Sequence, residues 1–301
     1  DFIEAVFEIE KREITSIQFK KFDWRVFLTA STLLFSSFIG FDAIAQTGNE
    51  AKNPTKNIPR AILLAIFIVS IYYILFTISV YNIVPWNFVA DESLIKDITA
   101  PGLLSYVLPP FWGILIILGA TIALINDLPA MILSVSRLMF AWSKDKIFPK
   151  KVSNIHEKYN TPHISIFVVG VVASIGSIGS HFAGDFFLGI DIMVTSMMIN
   201  FLLMCITVIT IAKVNPTLYK EITIFKNRTL QKIIGYFGSV VIVIFLVIHT
   251  YKDLTSEVDA WYFHSTLIYL IVMTLASLYF LIRWIQIKRD NKHIFKSLPS
   301  E

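Results

Sequence analysis

The sequence predicts an all-α integral membrane protein, and three observations carry that prediction. The 301 residues are 55% apolar and 16% charged, with a mean hydropathy of +0.67. Soluble domains are about 45–50% apolar and about 25% charged. The apolar residues are grouped in long blocks, and about 20 such residues cross a bilayer as a helix. A single water-soluble core could not bury this much apolar surface, so a soluble enzyme, a disordered chain and a fibrous repeat are excluded. The alternating pattern of a membrane β-strand is absent, which argues against a barrel.

Seven apolar stretches are long enough to span a membrane. In chain order they are 26–46, 61–84, 111–142, 163–180, 186–212, 233–250 and 261–282. Basic residues concentrate in the connections after the first, third and fifth stretches and in the C-terminal tail. Because cytoplasmic loops carry an excess of lysine and arginine, the pattern predicts a multi-pass protein of the cell membrane with residues 1–25 outside. It places the connection 213–232 and the tail 283–301 in the cytoplasm.

Several kinds of site lack their characteristic residues in this sequence. Cys205 is the single cysteine, which excludes a disulfide framework and a cysteine-based metal site. No His, Asp and Glu residues have the spacing of metal ligands, and neither a phosphate-binding loop nor a nucleophile elbow is present. The net charge of +4 is accounted for by basic cytoplasmic loops. We therefore expect no enzymatic activity, no metal or other cofactor and no nucleic-acid partner.

Seven helices with an external start are also typical of receptors and of retinal pumps. The last stretch contains no lysine for a retinal Schiff base, and no Asp-Arg-Tyr sequence follows the third stretch. Both observations argue against these classes. A seven-helix receptor or sensor without transport activity stays the alternative, and it would require a complete ligand pocket within this chain.

The first stretch combines small polar residues with a charge. Ser36, Ser37 and Gly40 lie in its middle, and Asp42 follows them. An unpaired carboxylate in hydrocarbon costs about 2.5–3.5 kcal/mol on insertion scales. We expect the helix to be interrupted near Ser37–Gly40, because irregular backbone at this depth occurs where it lines a cavity or is buried in protein. Carbonyls at the end of the outer half-helix could then bind an ammonium group; close helix packing by the small residues is the alternative.

Two segments of the chain resemble the amino acid–polyamine–organocation (APC) permeases. Their sixth helix and its following turn are similar to FSSFIGFDAIAQTGNEAKNPTKNIPRAI, and the end of their eighth helix is similar to SRLMFAWSKDKIFPK. The matching residues are Phe38, Gly40, Phe41, Asp42, Glu50, Asn53, Pro54, Ile58, Pro59, Ser136, Arg137, Ala141, Asp145, Pro149, Thr161 and Pro162. Two positions depart from the pattern, since Asn49-Glu50 replaces an acidic pair and Lys146 replaces a usual glycine.

The resemblance implies the second half of a LeuT-like inverted-repeat transporter fold. A five-helix repeat would cover 26–212, with a broken first helix, and two peripheral helices would cover 233–282. The first repeat would be missing from this chain and supplied by the same polypeptide or by a separate chain. The resemblance also implies an amino acid substrate whose amino group is held by backbone at the interruption, with two phenylalanines shaping the side-chain pocket. The residues concerned are Ser36, Ser37, Phe38, Ile39, Gly40 and Phe41.

The third stretch carries a second intramembrane charge. Asn126 and Asp127 lie near its middle, and Pro129 follows them. Proline removes a helical hydrogen bond and predicts a kink. An intramembrane carboxylate is a functional candidate, so Asp127, together with Asn126, is a candidate for proton or ion coupling. Pairing of Asp127 with a basic residue on a neighbouring helix is the alternative.

Three further charged residues are candidates for capping or gating. We expect Asp42 to cap the inner half-helix by accepting backbone hydrogen bonds, with a substrate contact as the alternative. Glu50 and Arg137 lie near helix ends at the predicted cytoplasmic face, and we hypothesise that they form an ion pair that closes an inward gate. Together the observations predict a secondary active transporter in the lipid bilayer that moves amino acids or related amines by proton symport or exchange.

Overall fold

The computed structural model describes residues 22–46, 51–93, 100–104, 108–183, 186–256 and 264–290. These residues form helices and connections, and no β-strand is assigned among them. Seven segments of the described chain, six of them single helices and the first an interrupted one, are long and apolar enough to cross a membrane. They are Val26–Ala45, Pro54–Ile83, Phe111–Lys144, His163–His181, Leu188–Val214, Arg228–Thr255 and Ser265–Arg289. The prediction of an all-α membrane protein with seven spans is therefore confirmed.

The elements follow one another as short and long helices. They are α1 (Trp24–Phe35), a first 3₁₀ helix (Ser36–Phe38), α2 (Ala43–Gln46), α3 (Pro54–Ile83), α4 (Trp86–Ser93), α5 (Ala100–Leu104), α6 (Pro110–Lys144), a second 3₁₀ helix (Lys150–Ser153), α7 (His163–Ala183), α8 (Phe186–Val214), α9 (Pro216–Lys220), α10 (Arg228–Thr255) and α11 (Ser265–Asp290). The predicted outer segment 1–25 and the predicted tail 283–301 lie largely outside the described residues.

Several helices extend beyond the predicted apolar stretches. Helix α3 begins at Pro54 rather than at residue 61, and α10 covers Arg228–Thr255 rather than 233–250. The start of α10 is fixed by Asn227, whose side-chain oxygen accepts hydrogen bonds from the N–H groups of Thr229 (2.9 Å) and Leu230 (3.3 Å). Hydropathy detects only the part of a helix that lies in hydrocarbon, so polar first and last turns escape it.

The chain divides into two compact units, and the first comprises Asp1–Trp24 and Ala61–Ala130. Its core is small and lies where α3 ends. Val80 and Val84 of α3 pack with Phe88 of α4 and Leu103 of α5, and Val84 is fully buried. The two short helices thus fold over the end of the long one.

The second unit comprises Arg25–Arg60 and Met131–Glu301, and α8 is at its centre. Helix α8 packs against α7, α10, α11 and the first 3₁₀ helix. Val194 and Met198 of α8 are almost completely buried. Helices α8 and α10 approach closely at Gly235, where an added Cβ would lie 2.8 Å from Ile209 Cγ1 and 3.3 Å from the carbonyl oxygen of Cys205. Small residues at a helix interface allow this approach in membrane proteins.

Asp253, near the end of α10, caps the start of α11. One carboxylate oxygen accepts hydrogen bonds from the N–H and the hydroxyl of Ser265, each at 2.9 Å, and the other accepts one from the N–H of Thr266 at 2.8 Å. These bonds satisfy donors that the first turn of a helix leaves without partners. They fix the two C-terminal helices as a hairpin.

Candidate functional site

The first span is interrupted between Phe35 and Ala43. Helix α1 ends at Phe35, the chain makes one 3₁₀ turn, and Ile39 is extended with φ −69° and ψ 140°. The hydrogen bonds that follow are of the tight three-residue type, from Ala43 N–H to Gly40 O (3.1 Å) and from Ala45 N–H to Asp42 O (3.0 Å). Regular α-helical bonding therefore stops for about two turns in the middle of an apolar segment.

Gly40 determines the shape of this turn. Its φ is +124°, a value that residues with a Cβ rarely adopt. An added Cβ would meet only the Cε of Met131, at 3.8 Å, which is an ordinary contact. Backbone conformation, and not lack of space, therefore makes glycine necessary here.

The side chain of Asp42 lies against the turn. Its Oδ1 accepts a hydrogen bond from the N–H of Gly40 at 3.3 Å. The carboxylate therefore bonds back to the amide two residues before it, within the turn. Asp42 thus holds the conformation of Gly40. Asp42 also directly precedes α2, and its role as the cap of that helix stays a prediction.

Three phenylalanine rings pack together at the interruption. Phe41 stacks on Phe201 of α8, with ring centroids 5.4 Å apart and ring planes 19° from parallel. Phe35 meets the same Phe201 ring edge-on, at 5.8 Å and 74°. Sequence reasoning missed Phe201, because one aromatic residue in a uniformly apolar helix carries no distinguishing pattern.

The remaining predicted binding residues lie in the same turn. Ser36, Phe38 and Ile39 are half-buried, and Ser37 is exposed. The structure therefore brings together all six predicted residues, 36 to 41, with Asp42 beside them and Phe201 packed against them.

Asn126 and Asp127 belong to the first unit, whereas the interruption belongs to the second. Both are exposed on α6, which continues as one helix through Pro129. The apolar residues around them are exposed as well, among them Leu124, Ile125 and Leu128. A carboxylate on an apolar helix requires polar or protein surroundings in a membrane, so this face of α6 is unsuited to contact with lipid.

The gate hypothesis pairs Glu50 with Arg137, and the structure describes only Arg137. Arg137 is half-buried on α6, and Glu50 lies outside the described residues. Their ion pair stays a prediction. Among the residues that the structure describes, no group of three or more His, Cys, Asp and Glu side chains could hold a metal ion.

Comparison with known proteins gives consistent results. Residues 15–294 match the family model described as amino acid permease. The chain is 25% identical over 171 residues to the branched-chain amino acid permease BcaP of Bacillus subtilis, covering 54% of this chain and 36% of that protein. It is 28% identical over 208 residues to the low-affinity putrescine importer PlaP of Escherichia coli, covering 68% of this chain and 42% of the importer.

A mammalian protein is similar too. The mouse cationic amino acid transporter 4 is 27% identical over 157 residues, which cover 52% of this chain and 24% of that transporter. The matched part of the chain thus covers less than half the length of each of these three relatives. No solved structure matches the chain.

Proposed function

The chain belongs to the amino acid permease family, and from this premise we propose that it is part of a secondary active transporter for amino acids or related amines. The observation that carries the proposal is the interruption of the first span at residues 36–41, with Gly40 at φ +124°. Non-helical backbone at membrane depth is tolerated where it lines a cavity or is buried in protein. Discontinuous helices form the substrate sites of many transporters.

The polarity of the interrupted helix indicates which part of a substrate it would hold. The end of α1 carries the negative end of a helix dipole, which favours a cation. An ammonium group is the feature shared by amino acids and by putrescine, after which two of the relatives are named. In this proposal, backbone groups of Ser36–Phe41 hold the amino group, while Phe38 and Phe41 shape the pocket for the rest of the substrate.

The fold proposal is a five-helix repeat over 26–212, the second half of a LeuT-like arrangement, followed by two peripheral helices. The three relatives above are more than twice as long as the matched part, which leaves room for a first repeat. That repeat would complete the site, as part of the same polypeptide or as a separate chain. The proposed orientation has residues 1–25 outside and the tail 283–301 in the cytoplasm, on the distribution of basic loops.

Coupling is assigned to α6. Asp127, with Asn126 beside it, would carry the proton or other cation whose movement drives uptake, because an intramembrane carboxylate is by default a functional candidate. Exchange of one substrate for another would not require that step. Symport would therefore require Asp127 to carry a proton or other cation, whereas exchange would not.

Uptake by the full-length transporter in proteoliposomes tests the proposal. A panel of labelled branched-chain amino acids, cationic amino acids and putrescine would be offered with and without a pH gradient. We expect saturable uptake of at least one amine-bearing substrate and competition by its unlabelled form. Ligand binding without uptake would favour the receptor alternative, and absence of both would contradict the proposal.

A further inference from the structure

A cavity of about 620 Å³ opens where α6 ends and α7 begins, well apart in sequence from the interrupted span. It lies in the connection between two membrane spans, Phe111–Lys144 and His163–His181, and therefore at a boundary of the bilayer. Its polar lining comprises Lys144, Lys150, Ser153, Asn154, His156, Glu157 and His163.

The walls of the cavity are held by buried hydroxyl groups. Ser143 donates a hydrogen bond to the carbonyl of Pro149 at 2.8 Å, and Ser165 donates one to the carbonyl of Val152, also at 2.8 Å. Both serines are almost completely buried. The bonds fix the second 3₁₀ helix, which carries Lys150, against the ends of α6 and α7. Lys150 is thus held in place near the end of α6, which carries Lys144.

Backbone hydrogen bonds fix the loop that carries His156, one of the lining residues. The N–H of His156 donates to the carbonyl of Thr161 at 2.8 Å, and the N–H of Asn160 donates to the carbonyl of His156 at 2.9 Å. The rings of His156 and His163 meet edge-on, with centroids 5.4 Å apart. The two imidazole rings are therefore neighbours in the lining of the cavity.

The charge of this connection is strongly positive. Five lysines fall within 144–158, against the carboxylates of Asp145 and Glu157. The lysines are Lys144, Lys146, Lys150, Lys151 and Lys158. Clusters of four to eight basic residues directly beyond a membrane span are typical of sites for anionic lipids, and each adds about 1 kcal/mol near such a surface.

We propose that this cavity binds the phosphate headgroup of an anionic phospholipid. Lys144 and Lys150 neutralise the phosphate from two different elements, and Asn154 and the imidazoles offer further hydrogen-bond donors. Ile155 lines the same cavity and is 52% exposed, so one apolar side chain lies beside the charged groups. The side of the membrane follows from the proposed orientation, while the site itself does not depend on transport.

Native mass spectrometry of the full chain in detergent tests this site. The apparent dissociation constants of phosphatidylglycerol and phosphatidylcholine would be compared for the unmodified chain and for two double variants. Lys144→Gln with Lys150→Gln removes the two cavity lysines. Lys220→Gln with Lys226→Gln removes equal charge from exposed positions that do not line the cavity.

We expect the chain to bind phosphatidylglycerol on the order of tenfold or more tightly than the K144Q/K150Q variant does, since two lysine contacts are lost. The K220Q/K226Q variant should retain the affinity of the unmodified chain. Lys144→Arg with Lys150→Arg keeps both charges and should retain tight binding, which separates loss of charge from loss of folding. Equal weakening in the control variant, equal affinity for phosphatidylcholine, or equally effective binding of inorganic phosphate would each overturn the proposal.

Discussion

Phe41 and Phe201 stack across the interrupted span, with their ring centroids 5.4 Å apart. Because Phe35 meets the same Phe201 ring from the other side of the interruption, one side chain of α8 contacts the chain before and after the turn. Each aromatic contact contributes about 0.5–1.5 kcal/mol beyond the apolar area it buries. The geometry of the interruption therefore depends on α8.

Phe201→Leu tests that dependence, since leucine keeps an apolar side chain but removes both ring contacts. We expect a loss of about 1–3 kcal/mol of stability and a several-fold rise in the KM for uptake. Thermal melting in detergent and uptake in proteoliposomes measure the two effects. Phe237→Leu is the matched control, because Phe237 is 70% exposed on α10. Equal melting temperature and KM in the two variants would contradict the role of Phe201.

Gly40→Ala tests whether the backbone of the turn is required for transport. An L-residue at φ +124° costs on the order of 1–3 kcal/mol, so the turn should rearrange. We expect uptake to fall at least about tenfold, since one lost substrate contact of about 1.4 kcal/mol suffices, while the protein still reaches the membrane. Gly176→Ala is the control, because a Cβ at Gly176 of α7 meets nothing within 4 Å. A G40A variant with the uptake of G176A would show that the turn is not the site.

The number of spans and the position of the interruption follow from composition and small-residue patterns. Hydrophobic blocks report the helices directly, and Ser36, Ser37 and Gly40 mark the place where helical bonding stops. The side chain that packs against the interruption from α8 could not be predicted in this way. Phe201 is one of 25 phenylalanines, and only tertiary packing singles it out.

The hydrogen bond between Asp42 and Gly40 could not be predicted from the sequence. An Asp before a helix predicts an N-cap, which stays a prediction here, and the structure adds a bond from the N–H of Gly40 to the same carboxylate. The positive φ of Gly40 turns that amide toward the side chain, and no local propensity encodes this orientation. Lys146, in contrast, occupies a position where the resembled permeases usually have glycine, and the structure gives it a φ of +64°.

Asp127→Asn distinguishes proton-driven uptake from exchange. The amide keeps the size of the side chain but cannot gain or release a proton. We expect accumulation driven by a pH gradient to be lost, while exchange of internal for external substrate continues. Asp145→Asn, at an exposed position beyond α6, is the control and should retain both activities. Full gradient-driven accumulation by D127N would exclude Asp127 as the coupling group.

Exchange of charges between Glu50 and Arg137 tests the gate hypothesis. Glu50→Arg or Arg137→Glu alone places like charges together, so each should lower uptake. Together they restore an opposite pair, and uptake should recover in part, as expected for coupled residues. Uptake would be measured at matched amounts of protein in the membrane. A double variant no better than either single variant would mean that the two residues do not act as a pair.

Lys146→Gly tests the end of α6, where Lys146 is the left-handed residue of a Schellman motif. Its N–H donates to Ser143 O at 3.1 Å, and the N–H of Ile147 donates to Trp142 O at 2.9 Å. A left-handed L-residue costs about 1–2 kcal/mol, and glycine removes that cost while adding about 0.4–1 kcal/mol of unfolded-state entropy. We therefore expect a net stabilisation of about 0.5–1 kcal/mol, or about 1–4 °C in melting temperature.

The backbone contact of this turn with α11 should survive that substitution. Arg283 donates hydrogen bonds to the carbonyls of Lys146 (2.9 Å) and Ile147 (3.2 Å), and neither bond involves the lysine side chain. Lys213→Gly, in the last turn of α8, is the control and should destabilise by about 1 kcal/mol, because glycine is a poor helix former. A fall in melting temperature for K146G as large as that for K213G would show that the positive φ of Lys146 carries no strain.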